Sequence, residues 1–400
     1  MVNESMKKLG ENPSIIRDLA EKCRDAKAIY GEDNVFDFSI GNPSIPTPEA
    51  VTKELHNLLN EENPVKLHEY TPARGYKETR EAIAEYTNNK FGVSESSDLV
   101  YVTMGASAAL SMTLTALLNK EDEAIVFAPY FIEYKVYVNL TGAKLVEVET
   151  DQNFLIDIEK LEKAINKNTK VILYNSPNNP TGVLYPESLI VKLTELLKKK
   201  EKEYNHPIYL ISDEPYRDLI YTDDKYPFIT KYYDDSLVIY SFSKSLSLPG
   251  ERIGYVIVGF KCANKEDVYN AIDGAGRSLG YTCSSSMYQR LIPRVIDKTA
   301  DISIYKKNRD DLMNILDSLG YKYAKPSGAF YLYVKALEED ANKFVEKALK
   351  YNLFVVPSDQ FGSKGYVRVS YCVDNKTIKN SYKAFKALKE EYEVKHEWFI

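Results

Sequence analysis

The sequence predicts an α/β fold: a large, mostly parallel sheet flanked by helices, with a smaller α+β unit beside it. From about residue 98, short runs rich in β-branched and aromatic residues alternate with longer helical patterns, as in parallel α/β sheets. Several of these runs are apolar throughout, which is typical of strands buried on both faces. After about residue 285 the regular alternation of strands and helices gives way to a long helical stretch and then short strands. This change indicates the second unit.

The β-rich runs predict the strands of a seven-stranded large sheet, with helices between them. The stretch "ASAALSMTLTALL" predicts a helix directly after the first run, and "PESLIVKLTELLKKKEKEY" predicts a long amphipathic helix. In chain order the runs are "DLVYVTMG", "EAIVFAP", "KLVEVET", "KVILYNSP", "PIYLISDEP", "SLVIYSFS" and "RIGYVIVGF".

The two ends of the chain predict the smaller unit. The first 45 residues end in "DFSIGNPSIPTP", a turn-rich segment that cannot extend a helix, and we expect this arm to pack against the smaller unit or another subunit. Beyond residue 285, a long helical stretch precedes "FYLYVK", a helix, "LFVVP", "YVRVSY" and a last helix. We therefore expect an arm and part of the small domain over 1–45, a large domain over 46–290 and a small C-terminal domain over 291–400.

Composition argues against several classes of function. With 52 Lys and Arg against 58 Asp and Glu, the net charge of the 400 residues is -6, which disfavours nucleic acid and anionic membranes as partners. No apolar run approaches the roughly 18 residues of a membrane span, and the N-terminus lacks the apolar core of a signal peptide. The four histidines and four cysteines show no metal-ligand spacing. We expect a cytoplasmic protein without a metal site.

Polar residues follow the predicted strands where those strands end. Gly105-Ala106-Ser107 opens a helix whose free N–H groups would face an anion, and the rigid loop "NSPNNPTG" covers 175–182. Asp213 and Tyr216 follow the next strand, and Ser241-Phe242-Ser243-Lys244 follows another. Taken alone, the first group is more often a helix start, Asn179 a turn residue and Lys244 a solvated surface residue, while Asp213 is about equally often a cap and a site. Because ligands bind at the carboxyl ends of such strands, the groups together predict one pocket.

Segments spread over most of the chain match one family pattern, most specifically in the lysine segment and the "NPTG" segment. The matching segments are "YTPARGYKETREAIA", "GASAAL", "APYFIEY", "NSPNNPTG", "SDEPY", "SFSKSLSLPGERIGY", "PSGAFYLY" and "YVRVSY". From about Asp37 to the C-terminal helix, the chain resembles the class I/II aminotransferase family of fold-type I pyridoxal phosphate enzymes, and it is similar to aspartate aminotransferases.

The resemblance implies pyridoxal 5'-phosphate as the cofactor, bound mainly by the large domain. Lys244 would bond to the cofactor's aldehyde carbon, which requires a neutral amine and hence a lowered pKa. Asp213 would pair with the pyridine nitrogen so that the ring can accept electrons, and Phe131 would stack on the ring. The groups implied to hold the phosphate are Gly105, Ala106, Ser107, Ser241, Ser243 and Arg252, with Tyr70 reaching it from the neighbouring subunit.

The resemblance also implies where the substrate's head group binds. Arg368, in "YVRVSY", would clamp the α-carboxylate with two parallel hydrogen bonds, assisted by Asn179 and the backbone of Gly41. Asn179 and Tyr216 would hydrogen-bond the 3-oxygen of the cofactor ring. The residues expected to carry the catalysis are Lys244, Asp213 and Tyr216.

The function implied is transfer of an amino group from an L-amino acid, aspartate or an aromatic one, to a 2-oxo acid such as 2-oxoglutarate. Ping-pong kinetics and a homodimer with active sites at the interface are expected with it. A dicarboxylic substrate would call for a second arginine to bind its other carboxylate. The two candidates are Arg277 and Arg74, and either could instead be an ordinary surface residue. Two alternatives stay open: a carbon–sulfur β-lyase on the same fold, and a cofactor-binding regulator without turnover.

Overall fold

A computed structural model describes residues 2–11 and 15–393. The strands are β1 (Phe36–Asp37), β2 (Val100–Thr103), β3 (Glu123–Ala128), β4 (Lys144–Glu149), β5 (Thr169–Asn175), β6 (Tyr209–Asp213), β7 (Ser236–Ser241), β8 (Gly254–Val258), β9 (Tyr323–Ala324), β10 (Tyr331–Lys335), β11 (Leu353–Phe354), β12 (Val356–Pro357) and β13 (Tyr366–Ser370).

The α-helices lie between these strands and at the start and end of the described chain. They are α1 (Glu4–Glu11), α2 (Ile15–Tyr30), α3 (Glu49–Glu61), α4 (Pro64–His68), α5 (Lys77–Phe91), α6 (Gly105–Leu117), α7 (Glu133–Thr141), α8 (Ile158–Ala164), α9 (Glu187–Tyr204), α10 (Phe242–Ser245), α11 (Lys265–Leu279), α12 (Ser286–Val295), α13 (Ser303–Ser318), α14 (Ala341–Leu349) and α15 (Asn375–Glu393).

Seven strands form the large sheet, in the order β2-β8-β7-β6-β5-β3-β4. Strand β8 runs antiparallel to both its neighbours, and the other pairs are parallel. Every residue of β3 is buried, and so is every residue of β7, as expected where helices cover both faces of a sheet. The prediction of a mostly parallel, seven-stranded α/β sheet is confirmed.

Two hydrophobic clusters cover the two faces of this sheet. Successive residues of β3 alternate between them: Ile125 and Phe127 belong to one cluster, and Ala124 and Val126 belong to the other. This is the two-residue period of a strand. Helix α9 packs into the first cluster, and helices α6 and α11 pack into the second. The sheet is therefore the middle layer of three, and its strand ends are held rigidly.

The ends of the chain build the smaller α+β unit around a core of their own. Strands β12, β13, β10 and β9 form an antiparallel sheet. In the arm, β1 pairs with β11 in parallel register, Phe36 opposite Leu353, and Phe38 is fully buried in the same core as Leu332 and Phe385. The arm therefore packs against the core of the smaller unit. Within the described chain, no helix combines the length and the apolar character needed to cross a bilayer.

Candidate active site

The carboxyl ends of three adjacent strands, β5, β6 and β7, meet at one edge of the large sheet and open into a cavity of about 250 Å³. Predicted residues from both sheets and from the arm meet there. The described residues that line the cavity are Ile16, Gly41, Ala106, Ser107, Leu110, Phe131, Asn175, Asn179, Asp213, Pro215, Tyr216, Ser241, Ser243, Lys244, Pro249, Arg252, Tyr331 and Arg368.

Lys244 lies in the single helical turn α10, directly after β7. Its Nζ donates a hydrogen bond to the carbonyl oxygen of Gly41 at 2.9 Å. Burial, helped by the guanidinium groups of Arg368 and Arg252, lowers the pKa of Lys244 from 10.5 to about 8. An amine with this pKa is neutral in about a tenth of the molecules at pH 7, far more than an ordinary lysine, so it can act as a nucleophile or a base.

The predicted phosphate-binding groups gather at the start of α6. Gly105 has φ +79°, a conformation that favours glycine, and a Cβ there would lie 2.7 Å from Nη2 of Arg252 and displace this guanidinium. Arg252 is exposed, donates to the carbonyl of Pro249 at 3.0 Å and itself has φ +52°. In the described structure no side chain caps α6. The free N–H groups of its first turn and the guanidinium together suit an anion.

Asp213, the last residue of β6, is buried with one carboxylate oxygen engaged and one free. Tyr134 donates a hydrogen bond of 2.5 Å to Oδ2, whereas Oδ1 has no partner among the described residues. Burial raises the pKa of Asp213 to about 7, and the hydrogen bond from Tyr134 opposes that rise. A buried polar atom without a partner is costly. A protonated ring nitrogen in the cavity would supply the missing donor.

Arg368 reaches the cavity from β13 of the smaller sheet. Its Nη1 donates to Oδ1 of Asn179 at 3.1 Å, and its Nη2 donates to the carbonyl of Ser39 at 2.6 Å. The guanidinium lies 4.6 Å from the ring centre of Tyr331. Only 2% of Arg368 is exposed, and its Nε has no partner among the described residues. A fixed guanidinium with unused N–H donors suits a carboxylate.

Tyr331 is a site residue that the sequence did not single out. Its hydroxyl lies 2.8 Å from the hydroxyl of Tyr216, and a Cβ on Gly41 would lie 2.1 Å from the same oxygen. It therefore joins Tyr216, Gly41 and Arg368 into one wall of the cavity. The chain has 32 tyrosines, so a tyrosine by itself does not indicate a site residue. The signal that could have identified Tyr331 is its place in "PSGAFYLY", one of the segments that match the family pattern.

The remaining predicted residues differ in where they lie. Phe131 is half-buried on the cavity wall, with its ring edge-on to Tyr134 at 5.6 Å. Ser241 and Ser243 are buried in the lining. Tyr70 is 93% exposed and does not line the cavity of its own chain. Its predicted role in a neighbouring subunit stays a prediction.

Neither candidate for a second arginine lines the cavity. Arg74 forms an ion pair of 2.9 Å with Asp273, bonds to Asn270 and lies over the ring of Tyr269. Arg277 is an exposed residue in the last turn of α11. The described chain also has no group of three or more His, Cys, Asp or Glu side chains arranged to hold a metal ion.

The cavity fits the cofactor implied by the resemblance. A phosphate matches the first turn of α6 and Arg252, an aldehyde matches Lys244 with its lowered pKa, and a protonated pyridine nitrogen matches the unpaired oxygen of Asp213. These features come from three separate segments of the chain, so one shared ligand explains them together.

Comparison with known proteins gives a family and several relatives. The model of the family "Aminotransferase class I and II" matches residues 33–385. Aspartate aminotransferase from Thermotoga maritima is 35% identical over 355 residues, which cover 86% of this chain and 89% of that protein.

The solved structures to which this chain is similar are also aminotransferases. An amino transferase from Eubacterium rectale is 51% identical, with a TM-score of 0.96, over 98% of this chain and 99% of that one. Aspartate aminotransferase from Thermus thermophilus with maleate is 28% identical, with a TM-score of 0.84, over 97% of this chain and 99% of that one.

Proposed function

Because the chain belongs to the class I and II aminotransferase family and is an aminotransferase, we propose that it binds pyridoxal phosphate at Lys244 and moves an amino group from an L-amino acid to a 2-oxo acid. One observation carries the proposal: Lys244, the half-paired Asp213 and the fixed guanidinium of Arg368 line a single cavity. When bound, pyridoxal phosphate supplies an aldehyde that takes up the amino group and a ring that accepts electrons.

Lys244 has two tasks in this proposal. Its Nζ would hold the cofactor by bonding to the aldehyde carbon with loss of water, and the lowered pKa favours the neutral amine that this requires. When the incoming amino acid takes its place, the same Nζ would accept the proton from the substrate's Cα as a general base. The hydrogen bond to the carbonyl of Gly41 orients the amine near the place where the substrate's head group binds.

Asp213, Asn179 and Tyr216 would hold the cofactor ring. The free Oδ1 of Asp213 would accept a hydrogen bond from the protonated ring nitrogen, while Tyr134 holds Oδ2. Asn179 and Tyr216, both buried in the lining, would hydrogen-bond the 3-oxygen, and Phe131 would supply an aromatic contact to the ring. The phosphate would be held by the first turn of α6, from Gly105 to Ser107, and by Ser241, Ser243 and Arg252.

Arg368 would bind the substrate's α-carboxylate. Asn179 and Ser39 hold two of its nitrogens, so the guanidinium is in place before the substrate arrives, and this lowers the entropy cost of alignment. Because Arg368 belongs to the smaller sheet and Lys244 follows the larger one, the substrate would bridge the two units. Movement between them would then couple binding to catalysis.

The relatives bear on the choice of substrate. Those named above are aminotransferases, which does not favour the carbon–sulfur lyase alternative. Two are named aspartate aminotransferase, and one of these was solved with maleate, a dicarboxylate. For this chain we propose aspartate or an aromatic amino acid as the amino donor and a 2-oxo acid such as 2-oxoglutarate as the acceptor, with ping-pong kinetics.

A homodimer with shared active sites completes the proposal. Tyr70 is 93% exposed and is one of the residues that line a surface depression formed by 67–71 and 283–288, so it is accessible to the phosphate of a second copy. Loss of activity on dilution to monomer, measured alongside sedimentation, supports this arrangement. A monomer with full activity contradicts it.

The decisive experiment supplies purified enzyme and pyridoxal phosphate with a panel of amino acids and 2-oxo acids. Formation of a new amino acid and a new 2-oxo acid in equal amounts, with parallel double-reciprocal lines, supports the proposal. Pyruvate and ammonia from cysteine-like donors, without amino transfer, would mean elimination and contradict it. Lys244→Ala is the control, since it removes the proposed base and should abolish turnover.

A further inference from the structure

Directly behind the cavity, buried charged and hydroxyl side chains connect the segment that carries Asp213 to the segment that carries Lys244. We propose that Asp218 and Tyr240 are positioning residues for Lys244. They hold the helical turn α10 through Ser245 and so keep Nζ aligned for proton transfer. Neither Asp218 nor Tyr240 is among the described residues that line the cavity. This inference rests on the proposed function, and it concerns the rate of proton transfer rather than the choice of substrate.

These side chains belong to one buried network, whose members are Glu214, Arg217, Asp218, Tyr240, Ser245 and Tyr255. The side chain of Arg217 is 1% exposed and that of Asp218 is 7% exposed. Members of the network directly follow residues of the cavity lining in the sequence; these neighbours are Asp213 and Glu214, Tyr216 and Arg217, and Lys244 and Ser245. Each segment therefore contributes one residue to the cavity and the next to the buried network.

Opposite charges balance one another within and beside this network. Nη1 of Arg217 donates to Oε2 of Glu214 at 2.9 Å, and its guanidinium lies 3.9 Å from the ring centre of Tyr240. Lys90, in the last turn of α5, donates to Oδ1 of Asp218. Buried ion pairs add little net stability compared with apolar packing of similar volume. Stability alone therefore explains these charges poorly, whereas a role in holding the two segments explains their position.

The hydroxyl of Tyr240 connects Asp218 to the turn α10. It lies 2.6 Å from Oδ2 of Asp218 and 2.6 Å from Oγ of Ser245. Burial would raise the pKa of Asp218, but Arg217 and Lys90 outweigh it and lower that pKa, so the carboxylate is ionised and can only accept. The single proton of the phenol therefore goes to Asp218, and the hydroxyl of Ser245 donates to the phenol oxygen.

The hydrogen bonds to Ser245 act beyond the point where the pairing of the two strands stops. The pairing of β6 with β7 ends at Asp213 opposite Ile239, and Lys244 lies beyond that pair. The carbonyl of Ser245 accepts from the N–H of Ala300 at 2.7 Å, so its backbone and its side chain are both held. A displacement of about 1 Å between reacting groups can cost on the order of 100-fold in rate. A small loosening of α10 should therefore appear in kcat.

Tyr240→Phe removes the hydroxyl and keeps the ring against Arg217. With the donor and acceptor that give the fastest amino transfer in the panel above, we expect kcat to fall about 10- to 100-fold. KM for the donor and the Kd of pyridoxal phosphate should change less than about threefold, because Arg368 and the phosphate site keep their contacts. The visible circular dichroism of the bound cofactor should also change, since it reports how Lys244 and the ring are oriented. An unchanged kcat overturns the inference, whereas absence of amino transfer in the wild-type enzyme would mean that the proposed function itself fails.

Tyr233→Phe is the matched control for the loss of one buried hydroxyl. Tyr233 is 1% exposed and donates to the carbonyl of Ile208 at 2.8 Å. Ile208 directly precedes β6, at the end of that strand opposite to Asp213. This variant should lower the melting temperature about as much as Tyr240→Phe does, yet keep kcat within about twofold. An equal fall of kcat in both variants would show general destabilisation and overturn the inference.

Ser245→Ala tests the connection itself, and it is the smaller change if Tyr240→Phe folds poorly. Alone it should lower kcat about as much as Tyr240→Phe does. In the double variant kcat should fall no further, because both changes break the same chain of hydrogen bonds. Losses that multiply in the double variant would show that Tyr240 does not act through Ser245, and they would refute the positioning role.

Discussion

Replacing Arg368 by lysine tests the proposed carboxylate clamp with the least damage to the fold. The variant keeps the positive charge but loses the planar fork of the guanidinium. Arg368 already donates to Asn179 and to the carbonyl of Ser39. One ammonium group cannot serve these two acceptors and both oxygens of a substrate carboxylate at once, so at least one charge-assisted hydrogen bond to the substrate is lost.

The size of the effect follows from that one bond. A hydrogen bond to a charged group contributes about 1.5–3 kcal/mol, and 1.36 kcal/mol corresponds to about a factor of ten. We therefore expect kcat/KM for the amino acid to fall about 10- to 150-fold. Arg368→Ala should cost more, because it also leaves the buried acceptors of Asn179 and Ser39 unpaired.

The assay is steady-state kinetics with the bound cofactor's absorbance recorded on the same samples. We expect a higher KM with the absorbance retained, since Arg368 is assigned to the substrate and not to the cofactor. Arg80→Lys, at a position that does not line the cavity, is the matched control and should stay within about twofold. Loss of the cofactor's absorbance together with activity would refute the assignment of Arg368.

Three further predictions test other parts of the site. Tyr134→Phe removes the hydrogen bond that opposes the raised pKa of Asp213, so the acidic limb of the kcat/KM profile should move to higher pH; an unmoved limb contradicts this role. Gly105→Ala adds a Cβ 2.7 Å from Nη2 of Arg252 at φ +79°, so the cofactor's Kd, measured by fluorescence titration, should rise about tenfold or more, and an unchanged Kd argues against the phosphate site. When cofactor is added to the cofactor-free enzyme, the rate of its attachment should rise with pH and reach half of its maximum near pH 8. The reason is that only the neutral form of Lys244 reacts, and its pKa is lowered to about 8. A rate that still rises steeply above about pH 9.5 would indicate an ordinary lysine.

Much of the architecture could be predicted because the sheet is buried on both faces. Apolar runs such as 124–128 and 237–240 identified strands directly. The polar residues at the ends of the predicted strands, Asp213 and Lys244 among them, identified the edge where a ligand would bind. The strand ends converge because parallel strands present their carboxyl ends together. Local sequence was sufficient for this part of the site.

The contacts between distant segments could not be predicted in the same way. Tyr134 reaches Asp213 across 79 positions of sequence, and Tyr331 reaches Tyr216 across 115. Tyrosine is frequent in this chain, so neither residue stood out. Ile16 resembles any core residue of an amphipathic helix, and only the folded position of α2 brings it to the cavity. The short turn that carries Lys244 is also too brief to give a helical pattern.

The measurement that tests the central claim most directly is chemical trapping of the cofactor. The enzyme loaded with pyridoxal phosphate is treated with borohydride, digested and mapped by mass spectrometry. We expect a single labelled peptide that contains "SFSKSLSLPGER", with the label on Lys244, and no label in Lys244→Ala. A label on another lysine, or an equal amount of label in that variant, would contradict it.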